Sequence, residues 1–356
     1  MIELVIFAVI KDFMTKKISI IIPTRNEQAF IINTLDSIMQ QDYPNELVEV
    51  IIADGESDDD TRKLITEYIE LHDNVILIDN PERVVPYALN YAIEKAKGEI
   101  IVRLDAHSKY PQNYVSRLVT ELENTRADNV GGVWVTTPAN KGVVATAIAL
   151  ATSHPLGIGD ASYRLENPKI KEVDTVPFGC FPKDVFDRIG LFDTDLIRNQ
   201  DDEFNGRIIK NGGKIFLIPD VKIEYYARAS VSTMMKMFYQ YGLFKPLVNV
   251  KLGSPATLRQ FIPPLFVLYV VLGLIMPFLF EMIQLAWVLG LIFYFIITVF
   301  VGLKIAISNK RIMLLAVLPW LFPLIHMSYG WGYIKGFVIV RLLNAKPGGQ
   351  NFSTSR

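Results

Sequence analysis

An aspartate and a histidine, one residue apart, follow a short apolar stretch in the sequence VRLDAHSKYP. Carboxylates and neutral imidazoles are both common ligands of divalent cations. Asp105 and His107 are therefore candidate metal ligands at the end of a strand. In the alternative interpretation, His107 caps the next helix, and only Asp105 and the phosphate oxygens of a ligand hold the cation.

A second acidic group, in the sequence NQDDEF, could supply a general base. A hydroxyl is a weak nucleophile until its proton is removed, and one positioned carboxylate can accept that proton. Asp201, Asp202 and Glu203 are the three candidates for this base. Acidic residues in the first turn of a helix also interact favourably with the helix dipole, which is the alternative role for this group and the one we expect for Asp202 or Glu203.

Predicted strands and helices alternate around these residues. Apolar, β-branched runs predict strands at 18–22, 48–54, 74–78 and 99–104. Segments with apolar residues at helical spacing follow them at 28–41, 61–71, 87–97 and 111–124. This alternation predicts an α/β fold with a mostly parallel sheet, in which ligands bind beyond the carboxyl ends of the strands.

Polar residues come directly after three of the predicted strands, so they should share one edge of the sheet. They are Thr24, Arg25 and Glu27 after the first strand, Asp54 at the end of the second, and Asp105 and His107 after the fourth. The chain contains no G-x-G-x-x-G sequence after the first strand and no G-x-x-x-x-G-K-[ST] sequence. A dinucleotide-dependent oxidoreductase and a P-loop NTPase therefore both lose support.

The composition narrows the possible partners. The chain has 356 residues and a formal net charge of -1, so no overall basic field points to nucleic acid. The single cysteine, Cys180, rules out an internal disulfide framework and fits a reducing compartment. We interpret Cys180 as a buried structural thiol.

Apolar residues are concentrated towards the C-terminus. Three largely uncharged segments, 261–280, 283–303 and 312–334, are each long enough to cross a bilayer. Lysines and arginines before the first segment, and between the second and third, predict that the N-terminal region is cytoplasmic. Prolines and glycines in the third segment leave a re-entrant hairpin as the alternative there. The third segment also contains His326, for which we predict a neutral hydrogen bond between helices.

These features predict five regions along the chain. They are an N-terminal extension at 1–17 without a signal peptide, an α/β domain at 18–229, an amphipathic interface segment at 230–260, a transmembrane region at 261–340 and a tail at 341–356. We expect the interface segment to lie on the membrane surface, with ordinary packing beneath the sheet as the alternative. The predicted location is the cell membrane, with several spans and the α/β domain in the cytoplasm.

Several motifs, in one order, resemble those of the family 2 glycosyltransferases, which have the GT-A fold. The motifs are PTRNE after the first strand, IIADGESDDDT at the second, A-x-N-x-A-x-x-x-A-x-G-E-I-I-x-R-L-D-A into the fourth, and GCFPKDVFDRIGLFDTDLIRNQDDEFNGRI later. The DAHSKYP stretch and the C-terminal apolar segments are most similar to the succinoglycan-type exopolysaccharide glycosyltransferases. The resemblance covers about residues 17–245. It implies a Rossmann-like GT-A domain followed by transmembrane helices.

The resemblance also implies a nucleotide-sugar donor, usually a UDP-sugar, a divalent metal (Mn²⁺ or Mg²⁺), and inversion at the anomeric carbon. The donor-side positions that match the family are Pro23, Thr24, Arg25 and Glu27 in the nucleotide pocket, Asp54 at the uracil ring, and Asp105 and His107 at the D-x-D element. Because His107 replaces a carboxylate there, we expect the site to prefer Mn²⁺ to Mg²⁺.

The catalytic and acceptor-side positions follow from the same resemblance. Asp201 matches the family's base, although Gln200 replaces the glutamate that normally precedes it. The acceptor-side positions are Phe178, Gly179 and Gln240. Lys245 is expected to reach the pyrophosphate from the sequence QYGLFK, which stands where processive members carry Q-x-x-R-W. The missing Arg-Trp pair favours the addition of a single sugar.

The resulting expectation is a membrane-bound glycosyltransferase that moves one sugar from a nucleotide-sugar to a lipid-linked saccharide in exopolysaccharide synthesis. A polyprenyl-phosphate sugar transferase and a processive polysaccharide synthase are the alternative enzymes. A non-catalytic membrane scaffold is an alternative of another class, because His107 and Gln200 depart from the family pattern. Sugar transfer by the purified protein would separate the enzymes from the scaffold.

Overall fold

The computed structural model describes residues 15–159, 161–164, 169–255, 257–275 and 281–348. Most of the predicted N-terminal extension, residues 349–356 of the predicted tail and residues 276–280 of the first predicted span lie outside the described residues. Two compact units are found. The α/β unit is drawn from Met1–Val135 and Glu166–Tyr225, and the helical unit from Thr136–Leu165 and Tyr226–Arg356.

An eight-stranded sheet is the main feature of the α/β unit. Its strands are β1 (Ile18–Thr24), β2 (Val48–Asp54), β3 (Val75–Asp79), β4 (Ile100–Arg103), β5 (Asn129–Thr137), β6 (Lys171–Glu172), β7 (Cys180–Pro182) and β8 (Ile215–Tyr226). They lie in the order β3-β2-β1-β4-β7-β5-β8-β6. The first four strands are parallel, as predicted. In contrast, β7 runs antiparallel to β4 and β5, and β6 antiparallel to β8, which the sequence did not predict.

Helices follow the strands in the first half of the chain and dominate the second. They are α1 (Ile31–Met39), α2 (Thr61–Ile69), α3 (Val85–Lys95), α4 (Tyr114–Thr125), α5 (Val143–Ala151), α6 (Pro155–Ile158), α7 (Asp184–Ile189), α8 (Gln200–Lys210), α9 (Val231–Leu252), α10 (Ile262–Ile275), α11 (Glu281–Ser308) and α12 (Leu318–Phe337). The apolar sides of α1 and α4 are buried with β1, through residues such as Ile20, Ile31 and Leu118. This burial is why the helical spacing of apolar residues predicted α1 and α4 correctly.

The register of the parallel strands brings three polar loops to one edge. Thr24 lies opposite Asp54 in the β1–β2 pair, and Ile21 lies opposite Arg103 in the β1–β4 pair. The loops that follow these three strands therefore leave the sheet on the same side. The predicted candidate site is built at this edge.

Two long helices of the helical unit, α9 and α12, approach each other through glycines. A Cβ atom on Gly242 would lie 2.0 Å from the carbonyl oxygen of Tyr329, and one on Gly336 would lie 2.1 Å from that of Leu243. The backbones can come this close because glycine has no Cβ. More than half of the residues of α9 are buried and its close neighbour is α12, so this segment packs within the helical unit and neither lies only on a membrane surface nor packs beneath the sheet.

Two helices among the described residues are long and apolar enough to cross a membrane, namely Leu258–Ile275 and Ile283–Ser308. Large apolar side chains on them are exposed, such as Leu265, Phe293 and Phe300. The third predicted span, at 312–334, is not a candidate, so the prediction of three spans is corrected to two candidate helices. Most of that segment lies in α12, a continuous helix whose prolines, glycines and histidine lower its apolar character and which is largely buried.

A stretch from the middle of the chain also belongs to the helical unit. Helices α5 and α6 precede β6 in sequence, yet their apolar residues share a core with the C-terminal helices. His326 on α12 donates from Nε2 to the carbonyl oxygen of Leu156 (2.8 Å), and its Nδ1 accepts from the Tyr294 hydroxyl on α11 (2.8 Å). A carbonyl oxygen only accepts, so Nε2 carries the proton of the neutral ring. The predicted hydrogen bond of His326 between helices is confirmed.

Candidate active site

The loops after β1 and β2 are joined by hydrogen bonds. The backbone N–H of Asn26 donates to Ser57 Oγ (2.9 Å), and that of Glu27 donates to Thr61 Oγ1 (2.7 Å). In return, the backbone N–H of Asp58 donates to Asn26 Oδ1 (3.0 Å). Asn26 has a φ of 56°, in the left-handed region. These contacts hold the loop PTRNE against the loop GESDDDT on one side of the candidate site.

Asp54, the last residue of β2, is fully buried. Its Oδ1 accepts from the Ser57 hydroxyl (2.6 Å), and its Oδ2 accepts from the Ser57 backbone N–H (3.1 Å) and from Arg62 (3.3 Å). Arg62 also pairs with Asp79 (2.6 Å). Since the Asp54 carboxylate is satisfied within the protein, contact with a uracil ring would require these partners to move. That role of Asp54 stays a prediction.

The other predicted donor-side residues after β1 differ in exposure. Thr24 is buried, and its carbonyl oxygen accepts from the backbone N–H of Gly55 (2.8 Å). Pro23 is half-buried and lies opposite Ala53. Arg25 is exposed, and a Cβ atom on Gly55 would lie 3.3 Å from its Cδ. Arg25 therefore presents its charge at this edge, while Thr24 supports the backbone beneath it.

His107 lies beside Glu27. The distance from His107 Nδ1 to Glu27 Oε1 is 3.5 Å, and Glu27 is buried while the His107 side chain is 33% exposed. The two atoms are not hydrogen-bonded, but a carboxylate on this side of the imidazole leaves the other ring nitrogen for a metal. The N-terminus of α4, the next helix, has no side-chain cap. The alternative that His107 caps this helix is therefore not observed.

A buried arginine joins the predicted donor-side carboxylate to the predicted base. Arg103, at the end of β4, donates from Nη1 to Asp201 Oδ1 and from Nη2 to Asp105 Oδ1 (3.4 Å). Asp201 lies in the first turn of α8, 98 residues from Arg103 in the sequence. The Arg103 side chain is only 4% exposed, whereas those of Asp105 and Asp201 are 22% and 29% exposed. The two carboxylates thus meet at one edge and remain open to a ligand.

Burial raises the pKa of Asp201 to about 6, against the opposing effect of the positive charge of Arg103. The like charges of Asp105 and Asp202 raise this pKa further. A carboxyl group with this pKa is mostly ionised at neutral pH and can still take up a proton during a reaction. These are the properties that a general base requires.

Left-handed backbone conformations occur next to the charged cluster of Arg103, Asp105 and Asp201. Phe178 (φ 63°) and Gly179 (φ 102°) precede β7, and Asn199 (φ 62°) precedes α8. The Gly179 carbonyl oxygen accepts from the backbone N–H of Arg103 (2.9 Å), and a Cβ atom on Gly179 would lie 2.4 Å from the ring of Phe181. Such conformations persist where the surroundings hold them, and they cluster at functional sites.

The predicted acceptor-side residues fall in both units. The Phe178 ring lies in the α/β unit, with its centre 5.8 Å from the guanidinium carbon of Arg103. Gln240 and Lys245 lie on α9 in the helical unit, and Gln240 is buried. Their roles at the site stay predictions. Cys180 is fully buried, and burial raises the pKa of its thiol, so it is a structural residue as predicted.

Asp105 and His107 are suited to a divalent cation. Both side chains are partly exposed in the loop after β4, and Glu27 stands beside the His107 ring. Among the described residues, no group of three or more His, Cys, Asp or Glu side chains could hold a metal ion. Two protein ligands leave most of the coordination shell for phosphate oxygens and water. A metal held by Asp105 and His107 would therefore bind together with a phosphorylated ligand, and this role of the two residues stays a prediction.

Arg103 and Tyr110 were not predicted to contribute to the site. Arg103 is a lone cation in the apolar strand sequence EIIVRL, two residues before Asp105. A buried arginine requires anionic partners, so this position could have predicted an ionic contact. The backbone N–H of Asp105 donates to the Tyr110 hydroxyl (2.8 Å), which holds the DAHSKYP loop. No sequence pattern singles out Tyr110.

Comparisons with known proteins identify relatives of this chain. The sequence model described as "Glycosyl transferase family 2" matches residues 19–186. A Methanococcus voltae protein, named dolichyl N-acetyl-alpha-D-glucosaminyl phosphate 3-beta-D-2,3-diacetamido-2,3-dideoxy-beta-D-glucuronosyltransferase, is 32% identical over 239 residues, which are 65% of this chain and 73% of the relative. The succinoglycan biosynthesis protein ExoA of Rhizobium meliloti (strain 1021) is 28% identical over 246 residues, 68% of this chain and 73% of the relative.

A solved structure shares the architecture over nearly the whole chain. It is the mannosyltransferase PcManGT from Pyrobaculum calidifontis in complex with GDP-Man and Mn2+, with a TM-score of 0.56, 18% sequence identity and 94% coverage of both chains. At this level of identity the likeness shows the fold alone. The predicted GT-A type of α/β fold is confirmed.

Proposed function

The chain belongs to glycosyl transferase family 2, and from this premise we propose that it moves one sugar from a UDP-sugar to a lipid-linked saccharide. The main observation in support of the proposal is the contact of Arg103 with both Asp105 and Asp201. This contact brings the donor-side carboxylate and the candidate base to the same edge of the sheet. Two relatives support the class of acceptor, since one is named for a dolichyl-phosphate-linked sugar and the other for succinoglycan biosynthesis.

In the proposed reaction, a hydroxyl oxygen of the acceptor attacks the anomeric carbon of the donor sugar. The bond between that carbon and the diphosphate oxygen breaks, and its electron pair stays on the diphosphate. Asp201 takes up the hydroxyl proton as the new glycosidic bond forms. Attack opposite the leaving group inverts the anomeric carbon. The products are the extended saccharide, the nucleoside diphosphate and protonated Asp201.

Asp105 and His107 would hold the divalent metal of this reaction. When bound, the metal neutralises the negative charge that develops on the leaving diphosphate. Glu27, with Oε1 3.5 Å from Nδ1 of His107, would orient the imidazole once a metal binds the other ring nitrogen. An imidazole ligand shifts the preference of the site from Mg²⁺ towards Mn²⁺.

The two candidate membrane helices support an acceptor that is held at a lipid surface. Their exposed apolar side chains form a surface that is unfavourable in water and suited to a bilayer. A lipid-linked saccharide in the same bilayer would be available at high local concentration. We therefore place the protein at the cell membrane with two spans, and the lysines and arginines before the first span place the α/β unit on the cytoplasmic side.

The proposal is tested with the full-length protein in detergent or nanodiscs. Nucleotide-sugars are first screened for a rise in thermal midpoint with Mn²⁺ or Mg²⁺, because ligands of the folded state stabilise it. The best donor is then incubated, in separate reactions, with polyprenyl-diphosphate-linked saccharides and with polyprenyl phosphate, and the masses of the products are measured by mass spectrometry. We expect a mass increase of one sugar per acceptor.

Each other outcome points to a different function. Long products from one acceptor would indicate a processive synthase, and a sugar attached to polyprenyl phosphate alone would indicate a lipid-phosphate transferase. Donor binding without transfer to any acceptor would contradict an enzymatic role and favour a scaffold. The matched control is Asp202→Asn, which changes the neighbouring carboxylate and should leave transfer intact.

A further inference from the structure

Arg103 contacts both candidate carboxylates, yet the reaction above assigns it no step. We propose that Arg103 is a positioning residue that holds Oδ1 of Asp201, so that Oδ2 is directed at the acceptor hydroxyl. This inference rests on the proposed function, because Arg103 has this role only if Asp201 accepts a proton during transfer.

The two oxygens of Asp201 are used differently. Oδ1 accepts from Nη1 of Arg103, and no hydrogen bond to Oδ2 is found among the described residues. The side chain is 29% exposed, so a substrate can approach the carboxylate. A planar guanidinium fixed to one oxygen restricts rotation of the carboxylate and hence the direction of the other oxygen.

Arg103 is itself held firmly. It ends β4, which pairs with β1 on one side and with β7 on the other. Its backbone N–H donates to the Gly179 carbonyl oxygen (2.9 Å), and its guanidinium lies over the Phe178 ring. Because the side chain is almost completely buried, it has little freedom left to lose when a substrate binds. Such preorganisation is what a catalytic geometry requires.

A second contact relates the base to the donor side of the site. Nη2 of Arg103 lies 3.4 Å from Oδ1 of Asp105. One rigid, planar group therefore contacts a carboxylate on the loop after β4 and another on the first turn of α8. A lysine would retain the positive charge but not the two separate N–H groups in a fixed fork. Arg103→Lys is thus a sensitive probe of geometry.

Arg207, on the helix α8 that also carries Asp201, provides a matched control. It pairs with Glu203 (2.6 Å) and donates to the carbonyl oxygens of Ile189 (2.6 Å) and Leu191 (2.7 Å). These contacts hold α8 in place without involving Asp201. A conservative change at Arg207 should therefore affect stability and leave the geometry of the base unchanged.

The test compares wild type, Arg103→Lys, Arg103→Gln and Arg207→Lys in full-length protein, with the donor and acceptor that wild type uses. In Arg103→Gln we expect kcat to fall about 10²-fold, the effect of a displaced catalytic group. Arg103→Lys should fall less. In both variants kcat should fall by a much larger factor than the affinity for the nucleotide, which changes only through the weaker contact of Arg103 with Asp105; retained nucleotide binding also verifies folding. Arg207→Lys should lower the thermal midpoint and retain kcat.

A double variant tests whether Arg103 acts through Asp201. In an Asp201→Asn background, Arg103→Gln should cause no further loss of the residual rate, because the group it positions is already inactive. Additive losses would overturn the inference, and so would an unchanged or increased kcat in Arg103→Gln with nucleotide binding retained. Absence of transfer by wild type would instead reject the proposed function, and the inference with it.

Discussion

One buried polar contact from each unit, the first charged and the second neutral, can be compared. In the α/β unit, the ion pair of Arg103 with Asp201 lies at the carboxyl edge of the sheet. In the helical unit, Asn249 on α9 donates to the Tyr333 hydroxyl on α12 (3.1 Å), a neutral contact. An ionic group is costly to bury unless it is paired, whereas a neutral hydrogen bond joins helices at lower cost. The α/β unit therefore concentrates charge where an anionic donor would react.

The constrained backbone at the site can also be compared with one helix contact in the helical unit. At the site, Phe178 and Asn199 are held with positive φ by their surroundings. In the helical unit, glycines such as Gly336 allow helices to approach closely. The positive-φ residues at the site and the glycine contacts between the helices can be changed independently by substitution. Substitutions in the first region should change turnover, and substitutions in the second should change stability.

The largest effect is expected from Asp201→Asn. Loss of the general base should lower kcat about 10²- to 10⁴-fold while donor binding is retained. Steady-state kinetics and nucleotide titration measure the two quantities. Normal turnover in this variant would show that the charged cluster is structural and would remove the functional distinction between the units.

A pair of glycine substitutions tests the packing of the helical unit. Gly336→Ala places a Cβ atom 2.1 Å from a carbonyl oxygen and should destabilise the unit by about 1–3 kcal/mol. Gly302→Ala meets only side-chain carbons, at 3.3 Å, and is the control; alanine also favours the helical conformation there. Thermal midpoints in detergent should fall for Gly336→Ala alone, with nucleotide affinity unchanged in both. Equal midpoints would contradict the glycine contact.

The pH dependence of transfer should reflect Asp201. Its pKa is raised to about 6, so kcat/KM should fall about tenfold per unit below that pH as the base becomes protonated. The folded state binds this proton more tightly than the unfolded chain does. The stabilising contribution of Asp201 is therefore present in acid and lost as the pH rises through about 6, opposite to the activity. An acid limb near pH 4 would contradict the raised pKa.

A change of metal preference is expected at His107. Wild type should be several-fold more active with Mn²⁺ than with Mg²⁺, and His107→Asp should reduce or reverse this difference, because an all-oxygen site suits Mg²⁺. Activity is titrated with each metal at a saturating donor concentration. If Mg²⁺ is better in wild type and the substitution leaves the preference unchanged, His107 is not a ligand.

The smallest effect is expected from Tyr294→Phe in the helical unit. The change removes the hydroxyl that donates to His326 and should cost about 0.6 kcal/mol, typical of hydrogen bonds between membrane helices. The thermal midpoint in detergent reports this loss. Tyr226→Phe, which changes an exposed ring, is the control. A loss of turnover in Tyr294→Phe at unchanged stability would show that the helical unit contributes to the chemistry.

Local patterns predicted the first half of the α/β unit well. Strand β2 was predicted at 48–54 and is observed at Val48–Asp54, and the predicted helix at 61–71 is observed at Thr61–Ile69. These segments have regular apolar spacing because they bury one or both faces, and burial is what the spacing records. The third predicted span is not among the candidate helices because the prolines, glycines and histidine of α12 interrupt its apolar composition, and more than half of its residues are also buried by protein.

The sequence by itself determined the parallel strands, the polar loops at their ends, and the candidates Asp105, His107 and Asp201. Only the tertiary structure decided that Glu27 stands beside His107 and that Arg103 joins two carboxylates. The antiparallel pairing of β7 with β4, which brings Gly179 to Arg103, has no local sequence signal. Neither has the contact between Arg103 and Asp201, 98 residues apart. Periodicity reports how a segment faces the core, whereas contacts between distant segments depend on the whole fold.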